Sequence, residues 1–142
     1  MNLTGRVLFC ACMLLFVGCG GREYTGDERF PLTGKITYDG ELLDRGSVSF
    51  IPQGSSKAQR VSGGEISDGA FNVSEAMGAN AGSYRVEIRW AKKTGKRFYA
   101  SDMGIWDEER KEGLPARFHK NSELIVEVSP EKHHFDFELK SK

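Results

Sequence analysis

Apolar and polar residues alternate with a period of two along much of the chain from Leu32 to its end. In the segment LTGKITY, Leu32, Ile36 and Tyr38 fall on one side of an extended chain, and the threonines and the lysine fall on the other. Successive side chains of a β-strand point to opposite faces, so this spacing is typical of a strand with one buried face. The pattern predicts a half-buried strand here rather than an amphipathic helix.

The same alternation recurs in later segments that are separated by turn-forming residues. Asp39-Gly40 follows the first strand and Asp68-Gly69 joins two short runs, and both pairs tolerate the positive φ angles of a tight hairpin turn. The positions predicted to face the core are Val48, Phe50, Ile66, Phe71, Val73, Tyr84, Val86, Ile88, Trp90, Leu124, Val126, Val128, Phe135, Phe137 and Leu139.

These segments together predict the fold class. Roughly seven short strands with turn signals between them, and no amphipathic helix of ordinary length, favour two antiparallel sheets packed face to face. A domain of about 110 residues can bury such a core without disulfide bonds. We therefore expect residues 30–142 to form one all-β sandwich.

The N-terminus has a different pattern. Eleven apolar residues run from Val7 to Val17 behind a short head whose only charged side chain is Arg6. About 20 residues are needed to span a bilayer as a helix, so this run is too short and is typical of the hydrophobic region of a secretory signal. The sequence predicts a signal peptide over residues 1–18.

The end of this leader, Leu15-Phe16-Val17-Gly18-Cys19, resembles the lipobox of bacterial lipoproteins. The resemblance implies cleavage between Gly18 and Cys19 and attachment of diacylglycerol to Cys19. Phe16 departs from the leucine usual at that position. The alternative is ordinary signal cleavage that leaves Cys19 unmodified.

Cysteine usage and the next residues agree with an anchor. Cys10 and Cys12 lie in the leader, so the exported chain would keep only Cys19, which cannot form an intramolecular disulfide. The glycine-rich, polar residues that follow suit a flexible tether over residues 19–29. Gly20 is not the aspartate of an inner-membrane retention signal, so the expected location is the cell envelope, with the outer membrane favoured over the inner.

Charge limits the kind of partner. The 142 residues include 20 basic and 20 acidic side chains, and removal of the leader with Arg6 leaves 19 against 20. A chain this close to neutral has no electrostatic reason to bind nucleic acid. The expected partners are the membrane, through the N-terminal lipid, and an envelope protein or a polysaccharide.

A second resemblance covers most of residues 32–139. The segments LTGKITYDGELLDRGSVSFIP, GEISDGAFNV and AGSYRVEI, and the ending LPARFHKNSELIVEVSPEKHHFDFEL, resemble carboxypeptidase-regulatory-like, or transthyretin-like (prealbumin-like), domains. The resemblance implies a Greek-key sandwich of about seven strands that serves as a non-catalytic accessory module. Its motifs are turn glycines and core hydrophobic residues, which specify a fold and not a chemistry.

Enzymatic versions of this sandwich are not indicated by the sequence. The C-terminal Tyr-Arg-Gly-Ser of the similar hydroxyisourate hydrolases is absent, and so is a G-x-S-x-G nucleophile elbow. His133 and His134 are consecutive on a predicted strand and point to opposite faces, while His119 lies in another segment, so no metal site is expected. A lysine–asparagine isopeptide crosslink, as in similar surface domains, needs an inward lysine on an early strand and an asparagine on the last strand. Lys35 is predicted to point outward and the last strand has no asparagine, so this crosslink is not expected. We expect no catalytic residue, cofactor or metal.

Residues 91–113 do not follow the sandwich pattern. They are predicted to form a long loop, and loops of such length are often functional. Trp90, Phe98, Tyr99 and Trp106 would offer an aromatic surface, flanked by Lys and Arg, to a glycan or a protein. Alternatively, Trp90 ends a core strand and the other three fold back over the edge of the sandwich.

The sequence thus predicts a non-catalytic, lipid-anchored envelope protein that acts as a structural or protein-interaction module. The alternative function is a carbohydrate-binding module that uses the aromatic residues of segment 91–113.

Overall fold

The computed structural model describes residues 27–55 and 59–142. These residues contain nine β-strands and two short 3-10 helices, but no α-helix, and no helix among them is long and apolar enough to cross a membrane. The strands are β1 (Leu32–Tyr38), β2 (Glu41–Leu42), β3 (Arg45–Pro52), β4 (Ser62–Ser67), β5 (Ala70–Val73), β6 (Gly82–Ala100), β7 (Ile105–Glu112), β8 (Ile125–Val128) and β9 (Phe137–Leu139).

The strands form one open, connected sheet in the order β2-β1-β5-β4-β3-β6-β7. β8 pairs with the first part of β6, and β9 pairs with β1 in the one parallel pairing between named strands of the described chain. This arrangement is all-β and fits a β-sandwich, which confirms the predicted class. The two strands beyond the predicted seven are β2 and β7, and β7 lies in segment 91–113, which the sequence pattern assigned to a loop.

Two tight turns form where the sequence predicts them. Asp39 and Gly40 have φ angles of 50° and 84° between β1 and β2, and Asp68 and Gly69 have angles of 49° and 75° between β4 and β5. Positive φ at both central residues is the requirement of a type I′ hairpin turn, which matches the right-handed twist of the flanking strands. These Asp-Gly pairs therefore fix the register of both hairpins.

The core consists of the inward positions that the alternation predicts. Phe50, Tyr84 and Val86 have no exposed surface, and the ring of Phe50 lies 6.0 Å and 6.1 Å from those of Phe71 and Phe135. Of the predicted inward residues of the last two strands, Val128, Phe135 and Leu139 are buried, and the partly buried residues Leu124, Val126 and Phe137 pack against the core.

One end of the sandwich is closed around the start of β6. Asn80 is buried, and its Nδ2 donates to the backbone oxygens of Asp27 and Glu28 at 2.8 Å and 3.0 Å. Phe30 forms a β-bridge with Ala79 next to it. The chain therefore enters the fold at the end of the molecule where β6 begins.

Candidate functional site

Strand β6 is much longer than the sandwich requires. Its residues from Tyr84 to Trp90 pair with β3, whereas those from Ala91 to Ala100 pair only with β7. The predicted long loop over residues 91–113 is therefore wrong: the segment is largely a two-stranded β-hairpin. We call residues 91–112 the ribbon. A ribbon with solvent on both faces needs no apolar alternation, so the period-two signal could not reveal it.

The ribbon contains an irregularity near its middle. Between the pairs Lys93 with Arg110 and Arg97 with Glu108, the register shifts. The Thr94 hydroxyl donates to Glu109, the Gly95 amide donates to Glu108 Oε1 at 3.0 Å, and Gly95 has a φ of 81°. Bulges of this kind bend a strand and increase its twist, and here local hydrogen bonds hold the bend in place.

The root of the ribbon is tied to the sandwich through Trp90. This residue is 2% exposed, and its indole Nε1 donates to Asp44 Oδ1 at 2.8 Å. Arg110 Nη1 lies 3.0 Å from the other oxygen of Asp44 and 2.7 Å from the Ala91 carbonyl oxygen. The hydrogen bond from Trp90, followed by that from Arg110, lowers the pKa of Asp44 despite some desolvation. The carboxylate thus links β7 and β6 to the loop before β3.

A second carboxylate supports the same root. Glu112 Oε1 accepts the backbone N–H groups of Trp90 and Leu114 at 3.0 Å and 3.1 Å. The ammonium group of Lys92 lies 4.3 Å from the Trp90 ring. Since both sides of the root are bonded, the ribbon has a defined direction as it leaves the sandwich.

The far end of the ribbon is apolar and exposed. We call its five large side chains the aromatic tip, and their exposed fractions range from 46% to 63%. The tip consists of Phe98, Tyr99, Met103, Ile105 and Trp106.

The register distributes these side chains around the ribbon. Tyr99 and Trp106 are direct cross-strand partners on one face, with ring centroids 5.5 Å apart. Phe98 and Ile105 are each one position away, so they belong to the opposite face. Met103 lies in the turn between the strands. The aromatic tip therefore exposes apolar surface on both faces and at its apex.

The structure divides the aromatic residues that the sequence singled out. It brings Tyr99 and Trp106 together, places Phe98 on the other face, and buries Trp90 at the root. The three distal residues do not fold back over the sandwich edge, since they are 46% to 63% exposed. Gly18 and Cys19 lie outside the described residues.

Met103 and Ile105 were not singled out from the sequence. Both are large apolar residues in an otherwise charged segment, and each is at least half exposed. Their closeness to Trp106 in the sequence was the available signal, although single exposed apolar residues are common in proteins. Only the pairing of the two strands shows that these residues join Trp106 at one end.

A shallow depression of about 370 Å³ lies at the root of the ribbon. Its walls include the side of Trp90 and four cationic residues, Arg45, Arg89, Arg110 and Lys111. Three of the cations have a carboxylate oxygen within 3.0 to 3.7 Å. Most of these charges are therefore paired, and the ion pairs stabilise the root of the ribbon. The depression does not concentrate positive potential for an anionic ligand.

One constellation of reactive side chains lies elsewhere, along β1. Thr33 Oγ1 is 2.9 Å from His134 Nδ1, and His134 Nε2 is 3.3 Å from Asp136 Oδ1. These are the residue types of a nucleophile, a base and an acid, but the side chains of His134 and Asp136 are 62% and 58% exposed. The nearby amide of Lys35 already donates to Asp136. The site lacks the water-excluding enclosure that makes such groups effective.

No group of three or more His, Cys, Asp or Glu side chains within residues 27–55 and 59–142 is placed to hold a metal ion. No protein-family model, curated protein or solved structure matches the chain. The aromatic tip is thus the feature of the described chain that most needs a functional explanation.

Proposed function

We propose that the protein is a non-catalytic, lipid-anchored protein of the bacterial cell envelope, a structural or interaction module whose contact surface is the aromatic tip. The observation that carries the proposal is the set of five large apolar side chains, 46% to 63% exposed, at the end of one ribbon. Clustered exposed apolar surface is a mark of contact sites, whereas scattered apolar residues need no explanation.

The rest of the molecule supports such a role. The sandwich supplies a packed base, and Asp44 and Glu112 fix the ribbon to it. Of the reactive side chains near β1, Thr33 is half-buried, and its partners His134 and Asp136 are exposed rather than enclosed. These features favour a surface that binds over a site that converts a substrate.

The proposed anchor depends on the leader sequence. Gly18-Cys19 follows an apolar run too short to span a bilayer, and the resemblance to a lipobox implies acylation of Cys19. The proposed location is the cell envelope, with the outer membrane favoured because Gly20 follows the cysteine.

Photo-crosslinking in intact cells tests the contact surface. A photoreactive side chain in place of Trp106 should give crosslinks to an envelope component. The matched control is the same side chain in place of Val61, an apolar residue that is 66% exposed outside the ribbon. Equal crosslinking at both positions would show that the tip is not a specific contact surface.

One observation favours a second candidate function, binding of a carbohydrate. The rings of Tyr99 and Trp106 lie on one face, and the guanidinium of Arg97 is 5.8 Å from the Trp106 ring centroid. An aromatic face beside a hydrogen-bond donor suits a sugar ring. Saturable binding to a polysaccharide that is lost in Trp106→Ala and kept in Val61→Ala would support this function; the absence of saturable binding would exclude it for the glycan tested.

A further inference from the structure

We propose that the aromatic tip docks into the headgroup region of a lipid bilayer, so that the anchored domain is attached to its membrane at two points. This inference rests on the proposed lipid anchor and names the partner of the tip. It follows from the arrangement of the apolar side chains, the charges behind them and the position of the tether.

The arrangement of side chains distinguishes a bilayer from a one-sided partner. A flat glycan or a shallow protein groove would use one face of the ribbon, and the other face would gain nothing from being apolar. Here Tyr99 and Trp106 occupy one face, Phe98 and Ile105 the other, and Met103 the apex. A bilayer surrounds an inserted tip on all sides, so it accommodates all five side chains at once.

The size and composition of the tip fit the interfacial region. Tyr and Trp are enriched at membrane interfaces because their rings are apolar and their polar ends are hydrated. The tip comprises about three cross-strand rungs and a turn, a depth of ~10 Å at ~3.3 Å per residue. Amphipathic elements bury their apolar parts ~5–10 Å into the boundary between headgroups and acyl chains.

Charged residues set how deep the tip can go. Lys96 and Arg97 directly precede Phe98, and long cationic side chains can reach back to lipid phosphates. Asp102, in the turn, and Asp107, opposite Phe98, are both exposed. The carboxylate of Asp102 favours contact at the headgroup level over deep insertion, since charge becomes more costly toward the bilayer centre.

The point at which the chain enters the domain permits the tip to contact the membrane that holds the proposed anchor. The chain enters the fold beside Asn80, near the start of β6, and the tip lies just beyond its end at Ala100. These ends are up to ~60 Å apart if each of the 19 residues of β6 rises ~3.3 Å. The 11 residues from 19 to 29 reach at most ~40 Å, so the entry point can lie up to ~40 Å above the bilayer while the tip is inserted. Strand β6 would then be tilted from the bilayer normal, with the tip still immersed on both faces.

Depth-dependent quenching of tryptophan emission tests the proposal with the full mature protein reconstituted in phosphatidylcholine and phosphatidylglycerol vesicles. Flotation reports whether the chain is anchored. Lipids brominated near the top of the acyl chains report whether an indole is close to them. The sequence has two tryptophans, and the buried Trp90 lies at the root of the ribbon, so the difference between wild type and Trp106→Phe isolates the tip.

The expected result is a loss of emission with brominated lipid in the wild type that is absent in Trp106→Phe. Ile105→Asp places a charge on the face opposite Trp106 and should reduce this loss, because both faces are immersed; Val61→Asp should not. A one-sided contact would leave Trp106 quenching unchanged in Ile105→Asp, and that result would overturn the proposal.

The outcomes separate the inference from the anchor. A chain that floats with the vesicles but shows no quenching of Trp106 overturns bilayer docking and leaves the anchor intact. A chain that neither floats nor is quenched contradicts both. A shift of Trp106 emission caused by a soluble polysaccharide or by raised protein concentration, without quenching by brominated lipid, would assign the tip to a glycan or to a second copy.

Discussion

The substitution Trp90→Phe tests whether the root of the ribbon is held by the indole. Phenylalanine keeps an aromatic ring in the core but removes the Nε1–H donor, which lies 2.8 Å from Asp44 Oδ1. Asp44 would keep Arg110 as a partner at 3.0 Å. The variant therefore removes one defined interaction without leaving a carboxylate unpaired.

Two contributions set the magnitude. A hydrogen bond to a charged group contributes about 1.5–3 kcal/mol, and the 41% exposure of the Asp44 side chain places this bond at the lower end, about 1.5 kcal/mol. The smaller ring leaves a space of roughly 40 Å³, which costs about 1 kcal/mol at ~24 cal/mol per Å³. We expect Trp90→Phe to lower the free energy of unfolding by about 2.5 kcal/mol and the melting temperature by about 10 °C.

The assay is urea unfolding followed by circular dichroism, together with a thermal melt. Trp106→Phe is the matched control: Trp106 is 63% exposed, so that variant should change stability by no more than about 0.5 kcal/mol. Equal effects of the two substitutions, or a loss of less than about 0.5 kcal/mol in Trp90→Phe, would refute the assignment of Trp90 as the residue that holds the root.

The hydrogen bond between Trp90 and Asp44 also makes the effect of Trp90→Phe on stability depend on pH. Hydrogen bonds from Trp90 and Arg110 lower the pKa of Asp44 below its ordinary 3.8, so their contribution is present above that value and is lost as pH falls through the lower folded-state pKa. The stability difference between wild type and Trp90→Phe should therefore narrow in acid. A difference that stays constant down to the acid transition would contradict a role for the ionised carboxylate.

Three further predictions follow from other contacts. Gly34→Ala should lower the free energy of unfolding by about 3 kcal/mol, because a Cβ there would lie 1.7 Å from the backbone oxygen of Phe135; urea unfolding that shows no loss would contradict the close packing of Phe135, which precedes β9, on β1. The Ser141 amide donates to Asp39 Oδ1 at 2.9 Å and lowers the pKa of Asp39, so the ionised carboxylate contributes to the stability of the wild type above pH 3.8. This contribution should be lost at lower pH and should be absent from Asp39→Asn. Identical dependence of the unfolding free energy on pH in the two proteins would refute it. Iodide should quench the emission of the wild type but hardly that of Trp106→Phe, whose remaining tryptophan is 2% exposed.

The sandwich could be predicted from the sequence because its strands have one buried and one exposed face. Tyr84, Val86, Ile88 and Trp90 alternate with polar residues, and all four are buried. The same alternation correctly predicted that Trp90 is buried. The predicted aromatic surface, in contrast, had grouped Trp90 with residues of the ribbon. The turn at Asp68-Gly69 was predictable for a different reason: its conformation depends on two adjacent residues that tolerate positive φ.

The ribbon could not be predicted in the same way. Its strands pack against no core, so charges such as Lys93 and Glu108 occupy them without any apolar period. The pairing of Tyr99 with Trp106 depends on a bulge near Gly95 that shifts the register. The sequence therefore indicated residue types that suit a contact surface, but it did not show which of them share a face.

The intact mass of the protein from the membrane fraction, measured beside that of Cys19→Ala, tests the proposed lipid anchor directly. We expect a mature chain that begins at Cys19 and carries added acyl mass, and a Cys19→Ala variant without that mass. A mature chain that begins at Cys19 with no added lipid would contradict acylation of Cys19.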